Sequence, residues 1–481
     1  MDDNRKEQNA TSPGFCAPET PETNAESAPA HKRSSFSGKI GFVLAAAGSA
    51  VGLGNIWRFP YLAAKYGGGI FLLVYILLAV TFGSTIMLVE IAIGRKTGKS
   101  VIEAFKTLNK KYYFIGIVAA AVPVIILPYY CVIGGWVTKY LYTFVTGGMG
   151  AAAGGSFFSN FVSGSWEPLL FFAIFLLATF AIVVFGVEKG IERISKILMP
   201  ILVLLAVAIS IYVMTIPGAL EGVLYYITPD FSKLSVGTFL GALGQLFYSM
   251  SLAMGIMITY GSYMKKKDSI PSAVKHIEIF DTGIALIAGL MIVPAAFVFF
   301  DGDMAQMQQG PGLMFVVLPQ VFSSMPGGAF IGILFFLLVL FAALTSSVSL
   351  METIVSIVRD KFHWTRLKAC LIVLGFALLL GVPSALGFGP LSMISLGGMT
   401  ILDMFDFLSN SVMMPLVALG TCIFVGWVIG TKEVTDELEL SAPFKRKKLF
   451  HIMVKYVAPI CLVLILISSV LGALGVPFFK L

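Results

Sequence analysis

Eleven stretches of about 20 or more mostly apolar residues follow one another along the chain, near 37–63, 67–93, 113–145, 167–186, 191–216, 236–263, 274–300, 328–359, 366–388, 402–430 and 449–475. A helix needs about 20 apolar residues to cross the hydrocarbon core of a bilayer, where every backbone polar group must be bonded within its own segment. The pattern therefore predicts an all-α polytopic membrane protein of eleven transmembrane helices. Composition agrees: 57% of residues are hydrophobic and 12% charged, against about 25% charged in soluble domains. The 49 glycines suit helices that pack backbone to backbone in lipid.

The formal charge of +7 sits in short clusters between the spans. Arg95, Lys96, Lys99, Lys106, Lys110 and Lys111 follow the second span, Lys189, Arg193 and Lys196 the fourth, Lys265 to Lys267 the sixth, and Arg359, Lys361, Arg366 and Lys368 the eighth; Lys445 to Lys448 precede the last. The alternate loops carry acids instead, among them Glu221, Asp230, Asp301 and Asp303. This asymmetry orients the chain in a cell membrane with the N-terminus cytoplasmic and the C-terminus outside, and is not a basic groove for nucleic acid. Residues 1–35 are polar and rich in Pro, Ser, Glu and Thr, as in a disordered cytoplasmic tail, and show no cleavable signal pattern. The five cysteines and four histidines lack metal-ligand spacing, so neither a disulfide framework nor a zinc site is expected.

Two spans are interrupted at matching places. The first contains Gly48-Ser-Ala-Val-Gly52-Leu-Gly54-Asn55 and the sixth Ser251-Leu-Ala-Met-Gly255. Each opens a block of five helices; because five is odd, the second block enters the membrane from the opposite side, giving a five-plus-five inverted repeat with broken helices one and six. The expected organisation is a first repeat over 36–216, an outer loop 217–235, a second repeat 236–430, and a cytoplasmic loop with the eleventh helix over 431–481. Alone, Gly48 and Gly52 could be a helix-packing face; paired interruptions point to a binding site near the midplane.

Polar groups at that depth are costly and imply partners. Asn55, Glu90, Gln245 and Asp281 stand out, and Ala342, Thr345 and Ser346 share one face of span eight. Hard cations take oxygen ligands, and interrupted helices expose carbonyls. One cation site can be assembled from carbonyls near Ala50 with Asn55, Ser249 and Asp281; another from carbonyls near Gly48 and Val51 with Ala342, Thr345 and Ser346. The bland alternative for Thr345 and Ser346 is back-bonding to a carbonyl one turn earlier. Amides at Leu53 and Gly54 open the second half of span one, where a carboxylate is favoured. A zwitterionic amino acid fits amides on one side and cations on the other.

The run Ala45 to Pro60 with Gly67 to Gly69, then Ala242 to Ser251, Ile258 to Tyr263 and Leu344 to Ser347, resembles the neurotransmitter:sodium symporter family in motifs and order from about residue 33 to the end of span ten. The resemblance implies the leucine-transporter fold, two sodium ions as coupled species and no organic cofactor. It implies that Ala50, Asn55, Ser249 and Asp281 hold one sodium against the substrate carboxylate, and Gly48, Val51, Ala342, Thr345 and Ser346 the other. Tyr130 would bond the carboxylate beside Leu53 and Gly54, with Ile126, Tyr248, Ser251, Met254, Ser346 and Leu350 around the side chain. Arg58 and Asp406 would form an outer gate, and Arg33, Ser262, Tyr263 and Asp360 an inner one. Gly190 and Pro200 bracket a stretch that unwinds in bacterial relatives, or is an ordinary proline kink. Chloride-dependent relatives have Asn and Ser where this chain has Asp281 and Ala285, so a fixed carboxylate is expected to replace chloride, with a proton moving in the opposite direction.

The implied function is sodium-coupled import of a neutral amino acid by alternating access. An uncharged pocket with Met254 and Tyr248 favours a hydrophobic or aromatic substrate, a small one such as alanine coming second. A channel lacks its continuous polar ring, and an enzyme its nucleophile with a base in reach. A sodium-dependent amino-acid sensor shares the same residues. Eleven spans where many relatives have twelve, and a short third loop, point to a prokaryotic member and leave the oligomeric state open.

Overall fold

The computed structural model describes residues 35–308 and 310–473. Arg33 and, Ser35 excepted, the tail expected over 1–35 lie outside the described residues. The described chain is helical, with two isolated bridge pairs, Gly68–Pro229 and Leu396–Met399. Among the described residues, nine helices are long and apolar enough to cross a membrane: Gly69–Thr97, Lys110–Val145, Glu167–Val184, Val187–Met214, Ile270–Phe299, Gly328–Phe362, Arg366–Leu386, Ile401–Val428 and Lys447–Gly472. Each falls on an apolar stretch read from the sequence. Lys39–Ala50 and Gly54–Lys65 together make a tenth, bent by 54°. The remaining stretch is divided into Val236–Ser249 and Ile256–Gly261, each too short to cross alone.

Both interruptions have local causes. Lys39–Ala50 ends where Val51 turns extended (φ −72°, ψ 103°), and the chain resumes helical winding at Gly54. Val236–Ser249 starts on a capping box in which the side chains of Ser235 and Thr238 each accept from the other's backbone N–H. It stops before Ser251 (φ 52°), Ala253 (φ 60°) and Gly255 (φ 70°). Left-handed backbone costs a residue with a side chain about 1–2 kcal/mol, so the conformation at Ser251 and Ala253 must be held from outside. The Ala253 N–H donates to Glu90 Oε1 at 2.8 Å, and Ser251 Oγ to the carbonyl of Ser49 at 2.9 Å.

Span two packs against the second half of span six backbone to backbone. A Cβ on Gly94 would stand 1.9 Å from the Ile258 carbonyl oxygen, and one on Gly261 2.5 Å from that of Ile91. Charged clamps fix the end of the bundle that carries the basic loops. The buried Arg95 guanidinium donates to Glu437 Oε1 at 2.7 Å and to the Asp268 carbonyl at 2.6 Å, while Lys266 reaches Glu437 at 2.9 Å. Glu352 in span eight accepts from Tyr263 at 2.8 Å and pairs with Arg366, which donates to the Val183 carbonyl at 2.8 Å. The stretch between Gly190 and Pro200 is wound as helix here.

Candidate ion and substrate site

The two interruptions face each other. Asn55, wholly buried, accepts from the Gly52 N–H at 3.0 Å and turns its Nδ2 to Ser249 Oγ at 2.9 Å and Asp281 Oδ1 at 2.8 Å. Ser249 Oγ donates to the same Asp281 oxygen at 2.7 Å, and Tyr75 reaches Oδ2 at 3.4 Å. Asp281 is also wholly buried, and among the described residues only neutral groups bond it. A carboxylate taken out of water without a positive partner is unfavourable by several kcal/mol. The cluster therefore has the chemistry of a cation site: a negative oxygen, a hydroxyl and an amide gathered beside the end of a broken helix. In this structure the Asn55 amide nitrogen bonds both members of the direct Ser249–Asp281 pair.

The second set is split by the geometry. Thr345 back-bonds, its Oγ1 donating to Phe341 at 3.0 Å and Ala342 at 3.1 Å. Ser346 reaches across to span one, with Oγ 3.4 Å from the Gly48 carbonyl, 3.1 Å from Ser49 and 3.4 Å from Val51. Back-bonding thus describes Thr345, while the Ser346 hydroxyl donates to carbonyls of span one instead. The Ser49 carbonyl also accepts from Ser251, so one oxygen joins spans one, six and eight.

A cavity of about 30 Å³ lies between the interruptions. Ala50, Leu53, Gly54, Ile126, Tyr130, Tyr248, Ser249, Ser251, Met254, Ser346 and Leu350 line it, the full set named from the sequence, together with Ser49, Gly52 and Ile256. The Tyr130 hydroxyl is buried and, among the described residues, makes no well-formed hydrogen bond, though Ser346 and the Leu53 backbone lie beside it. It stands 3.2 Å from where a Cβ on Gly52 would be, beside Ser346 Oγ at 2.8 Å from the same point. Gln245 Nε2 donates to the Gly54 carbonyl at 2.9 Å, holding the second half of span one from behind.

Tyr248 separates this space from a larger cavity of about 390 Å³ on the side away from the basic loops. Its ring lies 2.4 Å from the position of a Cβ on Gly54 and carries the Arg58 guanidinium 5.7 Å from its centroid. Arg58 and Asp406 both line the larger cavity without forming an ion pair. Asp406 instead accepts from Tyr129 at 3.1 Å and from Asn410 at 2.6 Å. Toward the basic loops the path is filled: Phe36 packs edge-on against Phe42, Tyr260 and Tyr263, and Asp360 accepts from the Ser100 N–H at 2.7 Å. Ser262 caps back on the Thr259 carbonyl at 2.5 Å. Ser49, Tyr75, Tyr129 and Asn410 were not picked out from the sequence; only Ser49, inside the interrupted segment, carried a signal there.

Interrupted helices whose carbonyls and buried carboxylate meet at a small cavity, filled in on one side and roofed by one ring on the other, are the architecture of a membrane transporter. The sodium:neurotransmitter symporter family matches residues 33–157 and 163–476, and the chain belongs to that family. YhdH of Bacillus subtilis, named as a sodium-dependent transporter, is 35% identical over 90% of this chain and 97% of its own. A taurine transporter of dog, named as sodium- and chloride-dependent, is 28% identical over 89% of this chain and 76% of its own. Among solved structures, MhsT in complex with L-phenylalanine superposes with a TM-score of 0.82 at 40% identity, covering 91% of this chain and all of that one. The protein is thus a multi-pass membrane transporter and not an enzyme.

Proposed function

We propose that the protein is a sodium-coupled symporter that imports a neutral hydrophobic or aromatic amino acid, without a chloride requirement. The observation that carries this reading is the buried Asp281 carboxylate, bonded only by neutral groups among the described residues and joined through Ser249 to a cavity that Tyr130 also lines. A cation at Asp281 would neutralise the carboxylate and attract the substrate's own carboxylate, which Tyr130 and the amides of Leu53 and Gly54 would complete. Ser346 and the carbonyls of Gly48, Ser49 and Val51 supply oxygen for a second sodium, joined by Thr345 and Ala342 once the Thr345 hydroxyl turns from its own helix.

Two sodium ions moving with a zwitterion against one proton carry one net charge inward, about 2.3 kcal/mol per 100 mV, enough for roughly fiftyfold accumulation from the potential alone. Tyr248 and Arg58 would close the pocket from outside, Arg58 then pairing with Asp406, while Arg33, Ser262, Tyr263 and Asp360 guard the cytoplasmic face. The basic loops put that face and the N-terminus inside a prokaryotic plasma membrane. The repeats over 36–216 and 236–430 would supply the moving and fixed parts.

The cavity of about 30 Å³ is too small for a large side chain as it stands, which favours alanine as the second reading. Met254, an unbranched side chain that adapts its shape, lines it, and similarity to MhsT bound to L-phenylalanine supports the larger substrate. Uptake into proteoliposomes decides. A labelled amino acid should enter with an inward sodium gradient in gluconate as fast as in chloride, and a panel of all amino acids should compete in order of apolar size. Uptake that ignores sodium, or stops without chloride, overturns the reading; binding without uptake would make the protein a sensor.

A further inference from the structure

We propose that the cavity of about 420 Å³ between spans two and seven and the segment before the last span binds an anionic phospholipid in the leaflet facing the basic loops. Its floor runs along span two from Val80 to Leu88, about 12 Å of helix axis. Its opposite wall is the first two turns and more of Ile270–Phe299, and its rim is the stretch from Pro443 to Phe450. The cavity thus extends from the charged loop level into the depth of the hydrocarbon.

Charge is concentrated at one end. Lys275, Lys445 and Arg446 line the rim, all exposed, and none makes an ion pair among the described residues. The neighbouring Lys447 does, with Glu439 at 2.7 Å. One carboxylate, Glu278, faces the three cations from the wall, leaving a surplus of two positive charges. Below the cations the lining is mostly apolar, the hydroxyls of Ser84 and Thr85 bonding their own helix, and it is turned outward: Ile279 is 57% exposed, Leu449 39% and Val80 37%. At this depth such exposure is exposure to acyl chains. A soluble phosphate would satisfy the rim and leave the wall bare; a zwitterionic lipid would cover the wall and leave the cations unmatched. A phosphate head with attached acyl chains and net negative charge answers both.

The test uses the full chain, purified and stripped of lipid, with native mass spectrometry as readout. Phosphatidylglycerol, phosphatidylcholine of the same acyl chains, and glycerol 3-phosphate are offered separately. Phosphatidylglycerol should bind in preference to phosphatidylcholine, glycerol 3-phosphate should not bind, and the Lys445→Gln, Arg446→Gln double variant should lose about thirtyfold in affinity, about fivefold per cation. Equal binding of the two lipids, binding of the acyl-free head group, or an unchanged double variant would overturn the proposal. Should that variant misfold, a salt titration of the unaltered protein decides: phosphatidylglycerol binding must weaken as ionic strength rises, and salt-independent binding counts against the site.

Discussion

Asn55 and Asp281, contributed by the broken first span and the continuous seventh, meet at 2.8 Å with Ser249 bonded to both. The contact places a buried carboxylate at the level of span one where the helix is interrupted. Asp281→Asn keeps the shape of this cluster and deletes its charge. Sodium-driven uptake should fall by on the order of a hundredfold or more, the loss of a buried charge partner being about 3–5 kcal/mol. The melting temperature of the sodium-free protein should not fall, since an uncompensated buried charge has gone. A variant that still couples to sodium normally would remove Asp281 from the ion site.

Tyr130 offers a cleaner separation, because its hydroxyl finds no well-formed hydrogen bond among the described residues. Tyr130→Phe should leave stability within about 0.5 kcal/mol. Substrate affinity should drop by about 1–3 kcal/mol, roughly five- to 150-fold, if that hydroxyl meets a carboxylate. Melting curves with and without substrate, beside KM for uptake, would read the two effects apart. Equal affinity in both proteins would place the carboxylate elsewhere.

The unequal behaviour of Thr345 and Ser346 predicts unequal mutants. Ser346→Ala leaves the carbonyls of Gly48, Ser49 and Val51 without the hydroxyl they share, and should raise the sodium concentration for half-maximal uptake about tenfold or more. Thr345→Ser keeps a hydroxyl at the same position and should change that concentration little. Sodium titrations of uptake at fixed substrate check both.

Gly94 and Gly283 are both helical glycines, and they should respond in opposite ways. A Cβ at Gly94 meets the Ile258 carbonyl oxygen at 1.9 Å, whereas one at Gly283 meets nothing within 4 Å. Gly94→Ala forces spans two and six apart and should lower the melting temperature and the folded yield sharply. Gly283→Ala gains helix propensity, worth up to about 1 kcal/mol, and should be neutral or stabilising. Fluorescence-detected size exclusion after graded heating distinguishes them.

At the basic end, Glu437 binds both Arg95 and Lys266. Glu437→Gln strands a buried guanidinium and should destabilise the protein by about 3–5 kcal/mol. Proteolysis of the loop near residue 268 should speed up in the variant, because Arg95 also holds the Asp268 carbonyl.

Hydropathy made the span positions legible, since a lipid solvent allows few alternatives to a helix. Glycines at 48, 52, 54 and 255 made the interruptions legible, and the cavity between them gathers the very residues named from the family's motifs. What sequence could not say is which hydroxyl turns where. Thr345 and Ser346 are adjacent and chemically alike, yet one bonds its own helix and the other crosses to span one; the difference is which direction each Cβ faces in the finished bundle. Tyr75 gave no sign of its Asp281 contact for the same reason, being one ring in an apolar run. Arg95 and Glu437 are 342 positions apart, and charge pairing over such a separation is set by topology alone.

The carbonyl oxygen of Ser49 has two lone pairs, and hydroxyls from Ser251 and Ser346 draw on both. Both hydroxyls line the small cavity, and in the proposed mechanism Ser346 would also serve the second sodium. A peptide plane that swivels toward either donor turns away from its rival, so neither compartment can rearrange in private. Under the proposed symport, leakage, an ion crossing with no passenger, would be discouraged at this atom. Whatever tightens one grip must, by reciprocity, be felt equally in the other.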